Sequence, residues 1–288
     1  MKNLKLTAIL LAILLIVPFA LVGCDTSGDD TSSVDATSSA TEADESSVDE
    51  ESEDEITVPE SIKSAGKIIM ATNANFPPYE FIDDDGNYAG IDVEIMQAIA
   101  DLWEVDLEID NMEFAAILSS IQTGKADVGI AGMTVTEERL ESVNFSHTYA
   151  KAKQVIIVKE DSEINGVDDL KGKKVGVQLG TTGAIYAADD KDEGNIGEVE
   201  QYNNGVDAVL ALTQDKIDAV IIDNEPAKVF VEQNEGIKII DEEYTDEDYA
   251  IAIAKDNTEL RDAINEALEI LDENGTLQEI IEKYIPAE

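Results

Sequence analysis

From about residue 58 onward, short unbroken apolar runs alternate with stretches in which apolar residues recur every three or four positions. Runs of the first kind read as buried strands, and stretches of the second as helices with one face turned to a core. "KIIMATN" (67–73) is such a strand. "GIDVEIMQAIADLWEV" (90–105) follows, with apolar side chains at Ile91, Ile95, Ala98, Ile99, Leu102 and Trp103 along one helical stripe. "VDLEIDN" then predicts a strand, "AAILSSIQTG" a helix closed by Gly124, "ADVGIAGM" a strand, and "TEERLESV" the opening of another helix.

A second series begins at "QVIIVKE" (154–160) and continues through the strand "KKVGVQLG" and a helix after "TTG". The strand "EVEQYN", the helix "GVDAVLALTQD" and the strands "AVIID" and "YAIAIAKD" follow. "TELRDAINEALEILDENGTLQEIIEKYI" predicts two final helices separated at Asn274–Gly275. Strands alternating with helices point to parallel α/β layers. "QTGKADVGIAG" and "LTQDKIDAVIID" each run from a helix end into a strand, once in each half, which suggests two lobes of like construction. No Gly/Pro/Ser-rich linker divides them, so lobes joined by crossing strands are expected rather than separate domains.

The N-terminal region follows another rule. Lys2 and Lys5 precede a continuous apolar run up to "LVGC" (21–24), the layout of a secretory signal. Acidic and Ser/Thr-rich sequence follows at once, which argues against a spanning helix. "LVGC" resembles the lipobox of bacterial lipoproteins, in which the Cys is lipidated and the preceding peptide removed. Residues 1–23 are therefore expected to be a signal peptide, and Cys24 to carry the lipid. Residues 24–57 are expected to be a disordered acidic tether, since residues 25–55 contain no Lys or Arg and too few apolar residues for a core.

Acidic residues outnumber basic ones 64 to 19, for a formal net charge of −45. Such a balance argues against nucleic acid as partner and against an electrostatic grip on anionic lipid. Cys24 is the only cysteine, so no intramolecular disulfide forms, and stability must come from a full-sized core. Neither a cysteine nucleophile in the mature body nor a metal-ligand cluster is visible, and His147 is the only histidine. No catalytic residue, metal or cofactor is expected. His147, in "FSHTY", reads as a loop residue.

Arg139 is one of two arginines in the chain and sits in the first turn of the helix "TEERLES", where the macrodipole disfavours a cation. A scarce guanidinium in that place suits an anion from outside the protein, since its fork of donors matches a carboxylate. The alternative is a surface ion pair with Glu137, Glu138 or Glu141, which would contribute at most about 1 kcal/mol. "QLGTTGAIYAAD" offers a second anion site. There a strand gives way through Gly180 to a helix start, with the hydroxyls of Thr181 and Thr182 beside free N–H groups. Its alternative is plain helix capping by Thr.

The order of "ATNANFPPYEF", "GIDVEIMQAIA", "IAGMTVTEERLESVNFS", "LKGKKVGVQLGTTG", "DAVIIDNEP" and "ENGTLQEIIEKY" resembles the polar amino-acid solute-binding proteins of ABC transporters. That group includes the glutamine-binding and lysine/arginine/ornithine-binding proteins, and the resemblance runs from about Lys67 to Ile285. It implies a two-lobed α/β periplasmic-binding-protein fold with two hinge strands. One lobe would span 58–150 plus 248–288 and the other 151–247, with ligand held in the cleft between them.

The resemblance also assigns roles. Arg139, with Ala131, Gly132 and Thr134, would hold the ligand's α-carboxylate, helped by backbone N–H groups near Gly132 and Thr134 and by Thr181 and Thr182 across the cleft. Asp223, ending "AVIID", would take the α-ammonium; a turn-forming Asp is the alternative. Phe76 and Phe114 would sandwich the aliphatic part of the ligand, where the alternative is ordinary core packing. Asn73 departs from the Asp found in many relatives, and Gln178 is also uncharged. Together they favour a neutral polar amino acid, with a basic one as runner-up.

The implied function is an extracytoplasmic binding lipoprotein, expected to be monomeric and held to the outer face of the cell membrane only by its lipid. It would deliver an amino acid to ABC permease subunits. The alternatives are an enzyme of the same fold, similar to cyclohexadienyl dehydratase, or a ligand-sensing partner of a receptor.

Overall fold

A computed structural model describes residues 56–240 and 244–286. The signal peptide, Cys24 and the acidic tether up to residue 55 lie outside the described residues. The chain enters through α1 (Glu60–Ala65) and runs into β1 (Lys67–Thr72), whose Ile68, Met70, Ala71 and Thr72 are buried. A hairpin sheet of β2 (Asn75–Phe76), β3 (Glu80–Ile82) and β4 (Tyr88–Ala89) comes next. It folds back at Gly90 (φ 120°), where a Cβ would lie 2.3 Å from the carbonyl oxygen of Tyr79, so only glycine fits.

Two crossovers then build parallel pairing. Helix α2 (Ile91–Leu102) leads to β5 (Asp106–Asn111), and α3 (Phe114–Gln122) leads to β6 (Val128–Gly129); both strands run parallel to β1. Helix α2 buries Ile91, Ile95 and Ile99 as the periodicity predicts. Asp92, Val93, Met96 and Ala100 are buried as well, because the C-terminal helices cover its second face.

After the short helix α4 (Glu137–Ser142) the chain enters β7 (Val143–Lys159), which begins far earlier than the apolar run at residue 154 suggests. At about 3.3 Å per residue, a strand of this length is long enough to serve two sheet regions. Its partner is the antiparallel β12 (Thr245–Ala254).

Between them lies the second α/β series. It comprises a 3₁₀ turn (Val167–Leu170), β8 (Lys174–Gln178), α5 (Thr182–Glu193), β9 (Glu198–Tyr202), α6 (Gly205–Thr213), β10 (Ala219–Asp223), α7 (Asn224–Gln233) and β11 (Ile237–Ile239). Strand β8 is parallel to both β9 and β10, while β10 and β11 run antiparallel to β7. Helices α8 (Thr258–Glu273) and α9 (Thr276–Tyr284), separated at Gly275, close the chain against α2.

The strand order is β5-β1-β6-β12-β7-β10-β8-β9, with β11 on β7. Parallel series thus flank a central antiparallel pair, the arrangement of the periplasmic-binding-protein fold. His147 is on β7 rather than in a loop; it is exposed, with Nδ1 3.4 Å from Glu269.

Candidate functional site

In a parallel α/β sheet the free main-chain groups and helix N-termini gather at the carboxyl ends of the strands. Here those ends converge. Asn73 follows β1, Ala131 and Gly132 follow β6, Gln178 ends β8 and Asp223 ends β10. Together with Phe76, Phe114, Thr134, Arg139, Thr181 and Thr182 they line one cavity of about 290 Å3, counting the part open to solvent. Every residue expected from the sequence to touch the ligand is therefore brought to one place, and Glu80 is added to them.

Arg139 is 7% exposed, and the surface ion pair is not what the structure contains. The main-chain N–H of Arg139 donates to Thr136 Oγ1, which caps α4. Its guanidinium donates to the carbonyl of Thr134 at 2.6 Å and to that of Gly180 at 3.0 Å, and lies 5.5 Å from the centre of the Phe114 ring. Burial pushes its pKa down, while nearby Glu247 and Asp223 hold it up.

The main-chain donors differ from expectation. Gly132 N–H already donates to Asp92 Oδ2 at 2.8 Å, so it is not free for an anion. Gly132 itself has φ +51°, and a Cβ there would meet Phe76 at 2.9 Å. Thr134 forms an isolated bridge to Tyr249 with hydrogen bonds on either side. That pattern turns its own N–H away from β12, toward the side on which Arg139 lies.

Across the cavity, Thr181 is the N-cap of α5. Its hydroxyl accepts from Ala184 N–H at 3.3 Å and donates to the Gln178 carbonyl at 2.8 Å. The capping alternative thus describes the Thr181 side chain, and Thr182, buried in the first turn, is the hydroxyl left to the cavity. Gln178 Nε2 donates to Asn73 Oδ1 at 3.1 Å, and Asn73 Nδ2 donates to the Met112 carbonyl at 2.7 Å.

Asp223 precedes α7 but makes no capping bond to it. Its carboxyl instead accepts from the Tyr249 hydroxyl, and the turn-forming alternative does not apply. Burial and the adjacent Glu247 push Asp223 well above the usual carboxylate range. Phe76 and Phe114 are buried and form apolar walls.

Sequence reasoning missed the acids around this chamber. Glu80 is 1% exposed, and its carboxyl, buried against Asp92, is pushed well up. Asp92, at the start of α2, is pushed up to about 7 by burial, against the hydrogen bond from Gly132. Tyr79, Tyr149 and Tyr249 pack beside these acids, with the Tyr79 and Tyr249 rings 5.1 Å apart. Glu80 was in plain view inside "PYEF", but a carboxylate there carries no periodicity signal of burial.

Among the described residues no group of His, Cys, Asp and Glu is arranged to hold a metal ion. The chamber offers a guanidinium and helix-start donors at one wall, carboxyls at another, and amides with aromatic faces between. That arrangement can hold a small zwitterion.

Residues 68–287 match the profile of the bacterial extracellular solute-binding proteins, family 3. The arginine-binding extracellular protein ArtP of Bacillus subtilis is 34% identical over 225 residues, covering 77% of this chain and 87% of that protein. The holo structure of ArgBP from T. maritima superposes with a TM-score of 0.72 at 39% identity, over 79% of this chain and 100% of that one. An ancestral arginine-binding protein solved with arginine gives a TM-score of 0.73 at 41% identity, over 76% and 98% of the two chains. An ancestral arginine-binding protein has also been solved bound to glutamine.

Proposed function

The chain belongs to the bacterial extracellular solute-binding proteins of family 3, and on that premise we propose that its cavity captures arginine, or glutamine as second choice, for an ABC permease. Membership makes it a binding protein and not an enzyme. The observation that carries the ligand assignment is the charge layout. Arg139, Asp223 and Glu80 line a single chamber; Glu247 and Asp223 act on the buried Arg139, and Asp92 lies beside Glu80.

In this reading the ligand's α-carboxylate lies between Arg139, the Thr134 N–H and the start of α5 at Thr182. The α-ammonium meets Asp223. The side chain passes between Phe76 and Phe114 toward Asn73 and Gln178, whose amide oxygens accept N–H groups of either a guanidinium or an amide. Asn73 and Gln178 alone favour the neutral ligand. The surplus of buried acid favours the cationic one, and relatives named for arginine support that order.

The two lobes are read as 58–150 plus 248–288 and 151–247, moving about β7 and β12. The hydrogen bonds Arg139–Gly180 and Gln178–Asn73 cross between them and would open to admit ligand. Lipidation of Cys24, anchoring at the outer face of the cell membrane and a monomeric state complete the reading.

A thermal-shift screen against the common amino acids tests it, because a ligand that binds only the folded state stabilises by about 2.7 kcal/mol at a hundred times its Kd. Arginine is expected to give the largest shift, with glutamine behind it. A panel in which no amino acid moves the melting temperature sinks the reading.

A further inference from the structure

Asp223 does not face the chamber as a lone acid. Its strand β10 pairs with β7, which pairs with β12, so Asp223, Gln154 and Thr245 lie in register across three strands. Two residues beyond Thr245, Glu247 turns inward and is 5% exposed. Glu247 Oε2 accepts from Thr134 Oγ1 at 2.9 Å and from Gln154 Nε2 at 3.0 Å. Glu247 Oε1 is buried without a hydrogen-bond partner. Glu247 is the charged neighbour that raises Asp223 most after burial, and the Gln154 side chain lies against both carboxyls.

Two adjoining carboxyls shut away from water do not both ionise unless a cation joins them. The groups facing them are Arg139 from α4, Tyr186 from α5, Tyr79 ahead of β3 and Tyr249 on β12. Glu80 and Asp92 lie behind, Glu225 is in the first turn of α7, and Lys153 is the neighbour of Gln154 on β7. Among the described residues Arg139 is the cation that acts on the pair, and its guanidinium is already committed to two carbonyls.

We propose that Asp223 and Glu247 form a two-carboxyl seat for an α-ammonium, sharing one proton when empty and releasing it to solvent when the ammonium is seated. The inference rests on the amino-acid reading of the chamber and adds Glu247 to it as a positioning residue. The balance is simple. The neutral Asp223 carboxyl plus an alkylammonium gives a carboxylate–ammonium pair and one free proton. Thr134 and Gln154 hold the Glu247 carboxyl in place beside Asp223, where it favours the proton on Asp223 until an ammonium replaces it. Burial and Glu247 raise Asp223 in the sense this requires. Affinity for an amino acid then climbs tenfold per pH unit below the empty pair's apparent pKa and levels off above it.

Titration calorimetry of the full chain with L-arginine, and with L-glutamine as a second probe, tests this. Paired buffers of low and high ionisation enthalpy are used from pH 5 to 8. Wild type is expected to release close to one proton per arginine at the acid end and fewer at the alkaline end. E247Q, checked for native circular dichroism, is expected to bind but release less than half as many protons, with a flatter pH profile. D223N is expected to release none from this seat. Heats that agree in paired buffers at every pH, with arginine still binding, overturn the proton seat and leave the amino-acid reading standing. An E247Q that releases as many protons as wild type overturns the part given to Glu247. No heat from either amino acid with wild type removes the parent reading and this inference together. The wild-type count needs no variant to fold.

Discussion

Arg139 donates to the main-chain carbonyl of Gly180 at 3.0 Å, which ties the first turn of α4 to the turn that opens α5 on the opposite wall of the chamber. The guanidinium therefore serves the empty protein as well as the proposed ligand. Arg139→Ala is expected to weaken arginine binding at least about thirtyfold, since losing the partner of a buried anion costs roughly 2–5 kcal/mol. It should also lower the stability of the ligand-free protein by roughly 1–3 kcal/mol, because the buried Thr134 carbonyl and the partly buried Gly180 carbonyl lose their donor. Arg139→Lys should recover part of the binding only, since a point charge lacks the fork. Calorimetry and urea melts check both; wild-type affinity in Arg139→Ala would remove the carboxylate assignment.

Gly180 is fixed by geometry on two counts. It has φ +83°, and a Cβ there would lie 3.1 Å from the Ala115 Cβ across the gap. Gly180→Ala should hold the walls apart, weaken arginine binding by about tenfold or more, and leave a larger radius of gyration with ligand than wild type shows. Small-angle scattering of both proteins at saturating arginine is the measurement. An identical compaction in the variant would mean that this contact does not limit closure.

Asp92 gives a pH dependence whose sign can be worked out. Its pKa is about 7 in the folded protein, against an ordinary value of 3.8. The folded state thus keeps a proton that the unfolded chain gives up. That contribution is complete below about pH 4 and is lost as pH rises through 7, at no more than about 1.4 kcal/mol per unit. Self-repulsion of the −45 charge acts in the same direction, so the readout is the difference between wild type and Asp92→Asn. The amide can still accept from Gly132. Melts from pH 5 to 8 should be flatter for the variant, and equal slopes would count against Asp92 as the group involved.

Processing is checked by mass. Protein extracted from membranes should begin at a lipid-modified Cys24, and a chain starting at Thr57 should bind arginine as well as the longer form. A mature protein starting elsewhere would refute the anchor.

Much of this architecture was legible in the sequence, and what was not had physical causes. The buried runs of β1, β8 and β10 and the stripe of α2 carry strong periodicity. Strands β2, β3 and β4 have two or three residues each, too few to show a period, so Glu80 arrived at the chamber unannounced. The first half of β7, "VNFSHTYAKAK", is polar and partly exposed where it crosses from one parallel series to the other, and it reads as loop. Asp92 looks like an acid complementing a helix N-terminus, and Glu247 lies in the acidic run "DEEYTDED", which reads as solvated surface. In both cases burial comes from distant elements. Arg139 was recognisable by its scarcity, but its second acceptor, 41 residues away, was not.

The pairing of β6 with β12, and the packing of α2 on α8 and α9, have a consequence for the order of events during synthesis. The strand set begun by β1 lacks its inner edge until residues near 252 are made, and its outer helices until later still. A chain emerging from its N-terminus can close the β8–β9–β10 series before it can finish the one it started. Stalling or truncation ahead of β12 would leave β6 with an open edge and α2 with a bare apolar face, the form most exposed to aggregation and proteolysis. The last forty or so residues thus act as the clasp that completes what the first hundred began.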